Sequence, residues 1–292
     1  MEAAIDALET AFRREDLSAG PLRTRLETQG GQLLVMPAVG AGGVGVKLVT
    51  LTEENPERGL PFVNATYVLF HPTTQVPEAV VDGAALTALR TGAVSGLATR
   101  HLARADARRL VVFGAGVQAR AHLESMRAVR PVEEVIVVSR TSERAEVLVG
   151  MAIAEGLVAR TGEPDDVRNA DLICCCTTAG QPLFDGRLVR DGTHVNAVGA
   201  YEAHRRELDT ELVRRARVVV EDRALVPAEV GEVAIPIQEG AIDISHVAAD
   251  LVELVRGARV RTRPEDVTVF TSVGMAFEDL VVARAAVDRA SG

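Results

Sequence analysis

The chain has 292 residues, 47% hydrophobic and 25% charged, which is the composition of an ordinary soluble protein with one large or two medium domains. Its formal net charge of -9, its aromatic content of 3% and its lack of tryptophan argue against a nucleic-acid surface. The sequence contains no uninterrupted apolar stretch of membrane-helix length, and its N-terminus carries acids rather than the basic start of a signal peptide, so we expect a cytoplasmic protein without a membrane partner.

The first hundred residues predict a helix followed by an antiparallel or mixed sheet. A helical pattern covers residues 2–14, and strand-like segments joined by glycine and proline turns follow at 32–37, 45–51 and 64–70. A long helix is predicted over residues 84–102.

From about residue 108 the pattern changes to short apolar strands separated by helical lengths. The predicted strands are 109–113, 134–139, 170–176, 194–199, 217–221 and 267–270. Strands that are apolar on both faces and alternate with helices indicate a parallel sheet covered by helices. The final helical segment, 274–290, follows the sixth strand and is expected to return to the first domain.

We therefore predict an α/β protein with two domains. A Rossmann-type, doubly wound parallel sheet occupies residues 107–271, and a discontinuous α+β substrate and dimerisation domain occupies residues 1–106 and 272–292.

The segment Gly114-Ala-Gly116-Val117-Gln118-Ala119 has the G-x-G-x-x-A pattern of a dinucleotide site, between a strand and a helix. The first glycine permits the tight turn, and the second lets the backbone approach a pyrophosphate. The small Ala119 lets the helix pack on the strand, and the free N–H groups of the helix end attract the phosphates.

The end of the second strand distinguishes the two nicotinamide cofactors. An NAD site usually has an acid there that binds the ribose hydroxyls, whereas this chain has Ser139, Arg140 and Thr141. Two hydroxyls and a guanidinium suit a 2′-phosphate. We predict that NADP(H) is preferred over NAD(H).

Lys47 is the only lysine of the chain, and the other 31 of the 32 Lys and Arg positions are arginine. It lies in Gly43–Val49, an apolar, glycine-rich segment that is typical of a buried strand. A buried ammonium is costly, and unlike arginine it can give up its proton. A functional role is favoured over the alternative, a lysine that reaches solvent from a strand edge.

The three cysteines, Cys174, Cys175 and Cys176, are adjacent in an apolar run. Neighbouring side chains on a strand point to opposite faces, so these residues are predicted to fill the core and not to bind a metal.

Several segments together resemble the ornithine cyclodeaminase/mu-crystallin family, in the family's order and over nearly the whole chain. The matching segments are 43–49, Leu86-Thr-Ala-Leu-Arg90-Thr-Gly-Ala-Val-Ser, Gly114-Ala-Gly-Val-Gln-Ala-Arg120, Asn196-Ala-Val-Gly199-Ala and Thr271-Ser-Val-Gly274-Met-Ala-Phe-Glu-Asp279. The resemblance implies a homodimer, formed through the first domain, and an active site between the two domains. It also implies hydride transfer at the α-carbon of an amino or imino acid.

The resemblance also implies roles for individual residues. Arg23 matches the arginine that binds the substrate carboxylate, although Arg25 could do the same. Lys47 matches the active-site lysine, and Arg90 the arginine that meets the substrate or a cofactor phosphate. We assign Lys47 and Arg23 to catalysis, and these two with Arg90 and Tyr201 to the substrate.

The predicted cofactor site combines the Gly-rich turn with strand ends of the Rossmann sheet, where such folds bind ligands. It comprises Arg90, Thr91, Gly114, Gly116, Val117, Gln118, Ser139, Arg140, Thr141, Thr177, Thr178, Asn196, Val198, Val273 and Gly274.

One departure from the family pattern bears on the reaction. Cyclodeaminases have an aspartate shortly after the Asn-Ala-Val-Gly segment, where this chain has Tyr201, or Glu202 if the match slips by one residue. Tyrosine has a pKa near ~10 and is a poor base at neutral pH. The sequence therefore favours an NAD(P)H-dependent reductase of a small imino acid, or an amino-acid dehydrogenase. An ornithine cyclodeaminase and a non-catalytic, crystallin-like NADPH-binding protein are the alternatives.

Overall fold

In the strand-like segments of the first hundred residues, successive side chains alternate between a buried and a more exposed face. The computed structural model of the chain shows that these segments form an antiparallel sheet. The structure describes residues 1–14, 23–40 and 42–291.

The described residues form nine α-helices and thirteen strands. The helices are α1 (Glu2–Arg13), α2 (Gly83–Leu102), α3 (Val117–Val129), α4 (Ser142–Ala154), α5 (Thr210–Arg215), α6 (Val226–Glu229), α7 (Gly231–Gln238), α8 (Leu251–Val255) and α9 (Ala276–Ser291). The strands are β1 (Thr24–Thr28), β2 (Gly31–Gly40), β3 (Gly43–Leu51), β4 (Val63–Phe70), β5 (Pro77–Asp82), β6 (Arg109–Phe113), β7 (Glu134–Val138), β8 (Val158–Thr161), β9 (Leu172–Cys175), β10 (His194–Ala197), β11 (Arg217–Val220), β12 (Val247–Asp250) and β13 (Thr268–Thr271).

The chain divides into two compact units. The antiparallel unit consists of Ala3–Arg90 and Met275–Gly292, and the parallel unit consists of Met1–Glu2 and Thr91–Gly274. The division falls within α2 and before α9, whereas the domain boundaries predicted from the sequence lie at 106/107 and 271/272.

The antiparallel unit contains a five-stranded sheet in the order β1-β2-β3-β4-β5, with every neighbouring pair antiparallel. Helix α9 packs on β2 and β3. On this side, the Phe12 ring of α1 meets the Phe277 ring edge-on, with centroids 5.7 Å apart. Arg284 of α9 donates a hydrogen bond from its Nε to the Gly42 carbonyl over 3.0 Å and pairs with Glu78 on β5 at 2.7 Å.

The parallel unit contains an eight-stranded sheet in the order β12-β11-β13-β10-β9-β6-β7-β8, and all its pairs are parallel. Helices α3 and α4 cover one face, where Leu110 and Val112 pack with Leu123, Met126 and Leu148. The prediction of a Rossmann-type parallel sheet with a separate α+β domain is confirmed.

All strands that the sequence predicted are present in the structure. Four strands were missed, namely β1, β5, β8 and β12, and these are the edge strands of the two sheets. An edge strand is partly exposed to solvent and therefore carries a weaker apolar pattern. In β1, for example, Arg25 is half-buried and the other four residues are exposed.

Gly45 in the centre of β3 leaves room for an aromatic ring from the next strand. A Cβ atom at this position would lie 1.9 Å from the Tyr67 hydroxyl oxygen and 2.5 Å from its Cζ. Tyr67 is fully buried and lies on β4, so its ring has little freedom to move away.

We expect the substitution Gly45→Ala to destabilise the protein by about 1–3 kcal/mol, because the added methyl group overpacks the interior against Tyr67. The measurement is thermal unfolding followed by circular dichroism. Gly150→Ala is the matched control: a Cβ there has no neighbour within 4 Å, and the change improves the helix propensity of α4. A Gly45→Ala protein as stable as the wild type would contradict this account of the glycine.

Candidate active site

Lys47 lies in the middle of the central strand of the antiparallel sheet, on the face that α9 covers. Along β3, odd-numbered residues are buried while even-numbered ones are half-buried or exposed, and Lys47 is only 1% exposed. Its backbone pairs with Met36 on β2 and with Tyr67 on β4. The alternative of a lysine that reaches solvent from a strand edge is therefore excluded.

The Lys47 ammonium is paired with a carboxylate from the C-terminal helix. Its Nζ lies 2.8 Å from Oδ1 and 2.7 Å from Oδ2 of Asp279, which is fully buried in the first turn of α9. Both oxygens of the carboxylate are thus within hydrogen-bonding distance of one nitrogen.

A second ion pair adjoins the first. Arg90 of α2 lies with its Nη1 3.1 Å from Oε2 of Glu278 and its Nε 3.3 Å from Oδ1 of Asp279. Glu278 Oε2 also accepts a hydrogen bond from the Met275 amide over 3.1 Å. Arg90 is 6% exposed and Glu278 is fully buried. Lys47, Arg90, Glu278 and Asp279, here called the buried quartet, carry two positive and two negative charges.

Burial has a direct effect on the chemistry of Lys47. Desolvation lowers the pKa of Lys47 from its usual 10.5 to about 8. Asp279 and Glu278 act in the opposite direction, while the Arg90 guanidinium lowers the pKa further. The amine is thus predominantly protonated at neutral pH and can lose its proton much more readily than a surface lysine.

Tyr67 lies beside Lys47 on the same face of the sheet. Its hydroxyl is fully buried and has no hydrogen-bond partner among the residues that the structure describes. Burial and the Asp279 carboxylate raise the pKa of the Tyr67 hydroxyl, so this group stays neutral and can donate a hydrogen bond.

The other predicted substrate residues have less defined surroundings. Arg23 is half-buried immediately before β1, and Arg25 is half-buried within it. Tyr201 is half-buried in the segment after β10, where Glu202 pairs with His204 at 3.8 Å and with Arg205 at 3.7 Å. The substrate roles of Arg23 and Tyr201 remain predictions.

The Gly-rich turn has the geometry that a pyrophosphate requires. Gly114 has a φ of 98°, and a Cβ there would lie 2.5 Å from the Cys176 carbonyl oxygen, so only glycine fits. In contrast, a Cβ on Gly116 would meet nothing within 4 Å. This open space lies at the start of α3, whose N-cap has no side-chain hydrogen bond, so its first N–H groups can bind an anion.

The predicted residues around this turn are accessible at the helix start and at the end of β7. Val117 is 69% exposed, and Gln118 follows it in the first turn of α3. Arg140 is exposed, and the Thr141 amide donates to the Ser139 hydroxyl over 3.2 Å. These residues are accessible to a ligand that binds at the Gly-rich turn.

The ends of β9 and β10 are joined by a buried carboxylate that the sequence did not reveal. Glu207 accepts hydrogen bonds from the Thr177 amide, the Thr177 hydroxyl and the Gly199 amide, at 2.8, 2.6 and 2.8 Å. The Glu232 carboxylate accepts from the amides of Glu207 and Leu208. Burial, with the charge of Glu207, raises the pKa of Glu232 to about 8. The Thr177 side chain is therefore bound internally, while Thr178 contributes its carbonyl to Arg205.

Asn196, also predicted at the cofactor, lies inside the parallel unit. Its side chain is fully buried, and its Nδ2 donates to the Thr99 hydroxyl of α2 over 3.0 Å and lies 3.9 Å from the Cys174 sulfur. This amide supports the packing of α2 on the parallel sheet. Neighbouring Val198 is half-buried, and the Cys174 and Cys175 side chains fill the core as predicted.

Val273 and Gly274, also predicted at the cofactor, donate their amides to the buried carboxylate of Glu221 at 2.9 and 2.7 Å. Both amides are therefore engaged within the parallel unit. Thr91 is buried in α2, immediately after Arg90.

Comparison with known proteins decides the family. The family model of the ornithine cyclodeaminase/mu-crystallin family matches residues 1–292. The chain belongs to this family.

Relatives within the ornithine cyclodeaminase/mu-crystallin family include reductases. The Δ1-pyrroline-2-carboxylate reductase of Bacillus cereus strain ZK is 36% identical over 278 residues, which cover 90% of this chain and 84% of the relative. The structure of the Thermococcus litoralis Δ1-pyrroline-2-carboxylate reductase, in complex with NADH and L-proline, is 36% identical with a TM-score of 0.92. It covers 99% of this chain and 92% of that one. An archaeal alanine dehydrogenase dimer with bound NAD is 32% identical with a TM-score of 0.93, over 99% of this chain and 91% of that one.

The structure of this family member adds residues that the sequence analysis did not assign. Glu278 and Asp279 were noted only as part of a matching segment, and Tyr67 and Glu207 were not noted. One signal was available for the two acids, because they stand together at the start of an otherwise largely apolar helix. Among the described residues, none of the helices combines the length and the apolar character needed to span a bilayer.

Proposed function

We propose that this member of the family is an NAD(P)H-dependent oxidoreductase that acts at the α-carbon of a small imino or amino acid, in the direction of imine reduction. The observation that carries the proposal is the buried Lys47 ammonium, whose position is held by Asp279 and whose pKa burial lowers to about 8. The relatedness to pyrroline-2-carboxylate reductases and to alanine dehydrogenase supports the same reaction class.

The nicotinamide cofactor, when bound, supplies the hydride. The residues that would hold its pyrophosphate are Gly114, Gly116 and the first amides of α3. On the protein side, Lys47 donates a proton to the substrate nitrogen while the α-carbon receives the hydride, so that the C=N bond becomes an amine. Arg23 binds the substrate carboxylate with its planar guanidinium and fixes the orientation of the reacting carbon.

The residues near position 201 support reduction over cyclodeamination. A cyclodeaminase needs an acid-base group for its second amine. Tyr201 stands where the family's cyclodeaminases have an aspartate, and the nearby Glu202 pairs with His204 and Arg205. Reduction of an imine needs no such carboxylate.

We propose that NADP(H) is preferred over NAD(H). The support is the segment Ser139–Thr141, which offers an exposed guanidinium and two hydroxyl groups at the end of β7 and has no carboxylate of its own. The related structures named above contain NADH or NAD. The proposed preference for NADP(H) therefore rests on the residues of this chain alone.

We also propose that the protein forms a homodimer through the sheet face opposite α9. Apolar side chains from all five strands lie on this face, including Val35, Val46 and Val68. Leu48 is 40% exposed and Val80 is 73% exposed. An apolar sheet face of this extent is typical of a protein interface, and a related alanine dehydrogenase is a dimer.

The purified protein is expected to oxidise NADPH in the presence of pyrroline-2-carboxylate or piperideine-2-carboxylate. Lys47→Ala should lower turnover by about 100-fold or more because the proton donor is removed, and should leave cofactor binding by the parallel unit intact. Lys47→Arg is the matched variant: it retains the charge, but because arginine does not release its proton, it should lose turnover as well. The measurement is the loss of nicotinamide absorbance.

Undiminished activity of Lys47→Ala would refute the role of Lys47. Ammonia release from ornithine without net cofactor consumption would indicate a cyclodeaminase. Tight NADPH binding with no turnover on imino, oxo or diamino acids would indicate a crystallin-like binding protein.

Substitution of Arg140 by alanine should raise the KM for NADPH about tenfold or more and leave the KM for NADH nearly unchanged, because a charged hydrogen bond to the 2′-phosphate is lost. Steady-state kinetics with both cofactors measure the ratio. Arg214→Ala, at another exposed arginine of the parallel unit, should leave the ratio unchanged. An equal effect on both cofactors would argue against a 2′-phosphate contact.

Leu48→Glu should convert the proposed dimer into a monomer, because it places a charge in the centre of the apolar face. Light scattering coupled to gel filtration gives the mass directly. Val147→Glu, at a 66% exposed valine of α4, should remain dimeric. A monomeric wild-type protein, or a dimeric Leu48→Glu protein, would contradict the proposed interface.

A further inference from the structure

Both carboxylate oxygens of Asp279 lie close to the Lys47 amine. Its two carboxylate oxygens lie 2.8 and 2.7 Å from the same Nζ, and both side chains are almost completely buried. The carboxylate is in the first turn of α9, where the amide dipoles of the helix stabilise a negative charge. The position of the Lys47 nitrogen is therefore determined from the C-terminal helix as well as from β3.

Asp279 also has a second cation that cannot lose its proton. The Nε of Arg90 lies 3.3 Å from Asp279 Oδ1, and the Nη1 of Arg90 lies 3.1 Å from Glu278. When Lys47 donates its proton, the buried quartet changes from zero net charge to one negative charge. Arg90 keeps Asp279 paired in that state, and the excess negative charge favours the return of a proton to Lys47.

We propose that Asp279 is a positioning residue for proton donation: it fixes the Lys47 amine in place and, in balance with Arg90, determines how readily that amine releases and regains its proton. The inference rests on the proposed reductase function, because it assigns the source of the proton in that reaction.

Among the residues that the structure describes, the charged and titratable groups that act on Lys47 come from three elements. Asp279 and Glu278 face it from α9, Arg90 from α2, and the neutral hydroxyl of Tyr67 belongs to β4. Asp279 and Glu278 favour the protonated amine, whereas Arg90 and burial favour the neutral one. Removal of Asp279 or of Arg90 should consequently move the pKa of Lys47 in opposite directions.

The composition of the chain allows a direct test. Because Lys47 is the only lysine, protein labelled with ¹³C at the lysine ε-carbon gives a single NMR signal whose titration reports this amine alone. In Asp279→Asn the pKa of Lys47 should fall by at least about 1, and in Arg90→Gln it should rise. Asp288→Asn is the matched control, since it makes the same change at an exposed carboxylate of α9 and should leave the titration unchanged.

Kinetics then connect the titration to the reaction. If protonated Lys47 is the donor, kcat/KM for imine reduction falls as the pH rises through the pKa of Lys47. A lower pKa in Asp279→Asn should therefore move this alkaline fall to lower pH by the amount seen in the NMR titration. Asp279→Glu, which retains the carboxylate, should move it back toward the wild-type position. A purely structural role would lower the rate at every pH without moving the fall.

Three results would overturn the proposal. One is a folded Asp279→Asn protein in which the pKa of Lys47 is unchanged. Another is a changed pKa of Lys47 in the NMR titration without a matching movement of the pH profile of kcat/KM. The third is an unchanged or lowered pKa of Lys47 in Arg90→Gln, because the proposed balance requires that pKa to rise. This variant is an independent test if Asp279→Asn does not fold. Failure of the proposed function is a different result, namely a wild-type protein that reduces no imino acid while the NMR titration still responds to Asp279→Asn.

Discussion

The architecture of the antiparallel unit depends on the burial of the Lys47 ammonium in the middle of a sheet. Moving one charge into such surroundings is costly, and removal of one member of a buried ion pair is typically destabilising by about 3–5 kcal/mol. The cost is tolerable here because Asp279, Arg90 and Glu278 are buried with it and the quartet is neutral as a whole. The quartet joins β3 to the first turn of α9, where the two acids are adjacent, and to Arg90 of α2. The same desolvation gives the amine its chemical value, since it lowers the pKa of Lys47 toward neutrality.

Much of this organisation could be predicted from the sequence, and the omissions have physical causes. Strands with a neighbour on each side carry strong apolar patterns, so β2, β3, β4 and the inner strands of the parallel sheet were predicted, whereas all four edge strands were missed. Lys47 was identified because a single lysine in an apolar strand is conspicuous. Its partner was not, because Asp279 is 232 positions away and no local pattern connects the two residues.

The strand ends of the parallel unit show another limit of sequence interpretation. Thr177, Val273 and Gly274 were assigned to the cofactor because of their positions, yet their amides donate to the buried carboxylates of Glu207 and Glu221. In the sequence, acids in such loops look like solvent-exposed residues. In the structure they accept backbone amides at the sheet edge where a doubly wound fold binds its ligand. The cofactor turn itself was predictable because its glycines are required by backbone geometry, which leaves a direct trace in the sequence.

The separation between Lys47 and Asp279 also has a consequence for the order of assembly. During synthesis, β3 emerges long before α9, and the whole parallel unit is made between them. Domains generally fold as they leave the ribosome, in N-terminal order, but this amine has no counter-ion until the chain has returned from its Rossmann segment. The Lys47 ammonium can therefore pair with its carboxylate only after α9 has been synthesised. A chain that ends before α9 therefore lacks the carboxylate that holds this amine, whatever the state of its parallel unit.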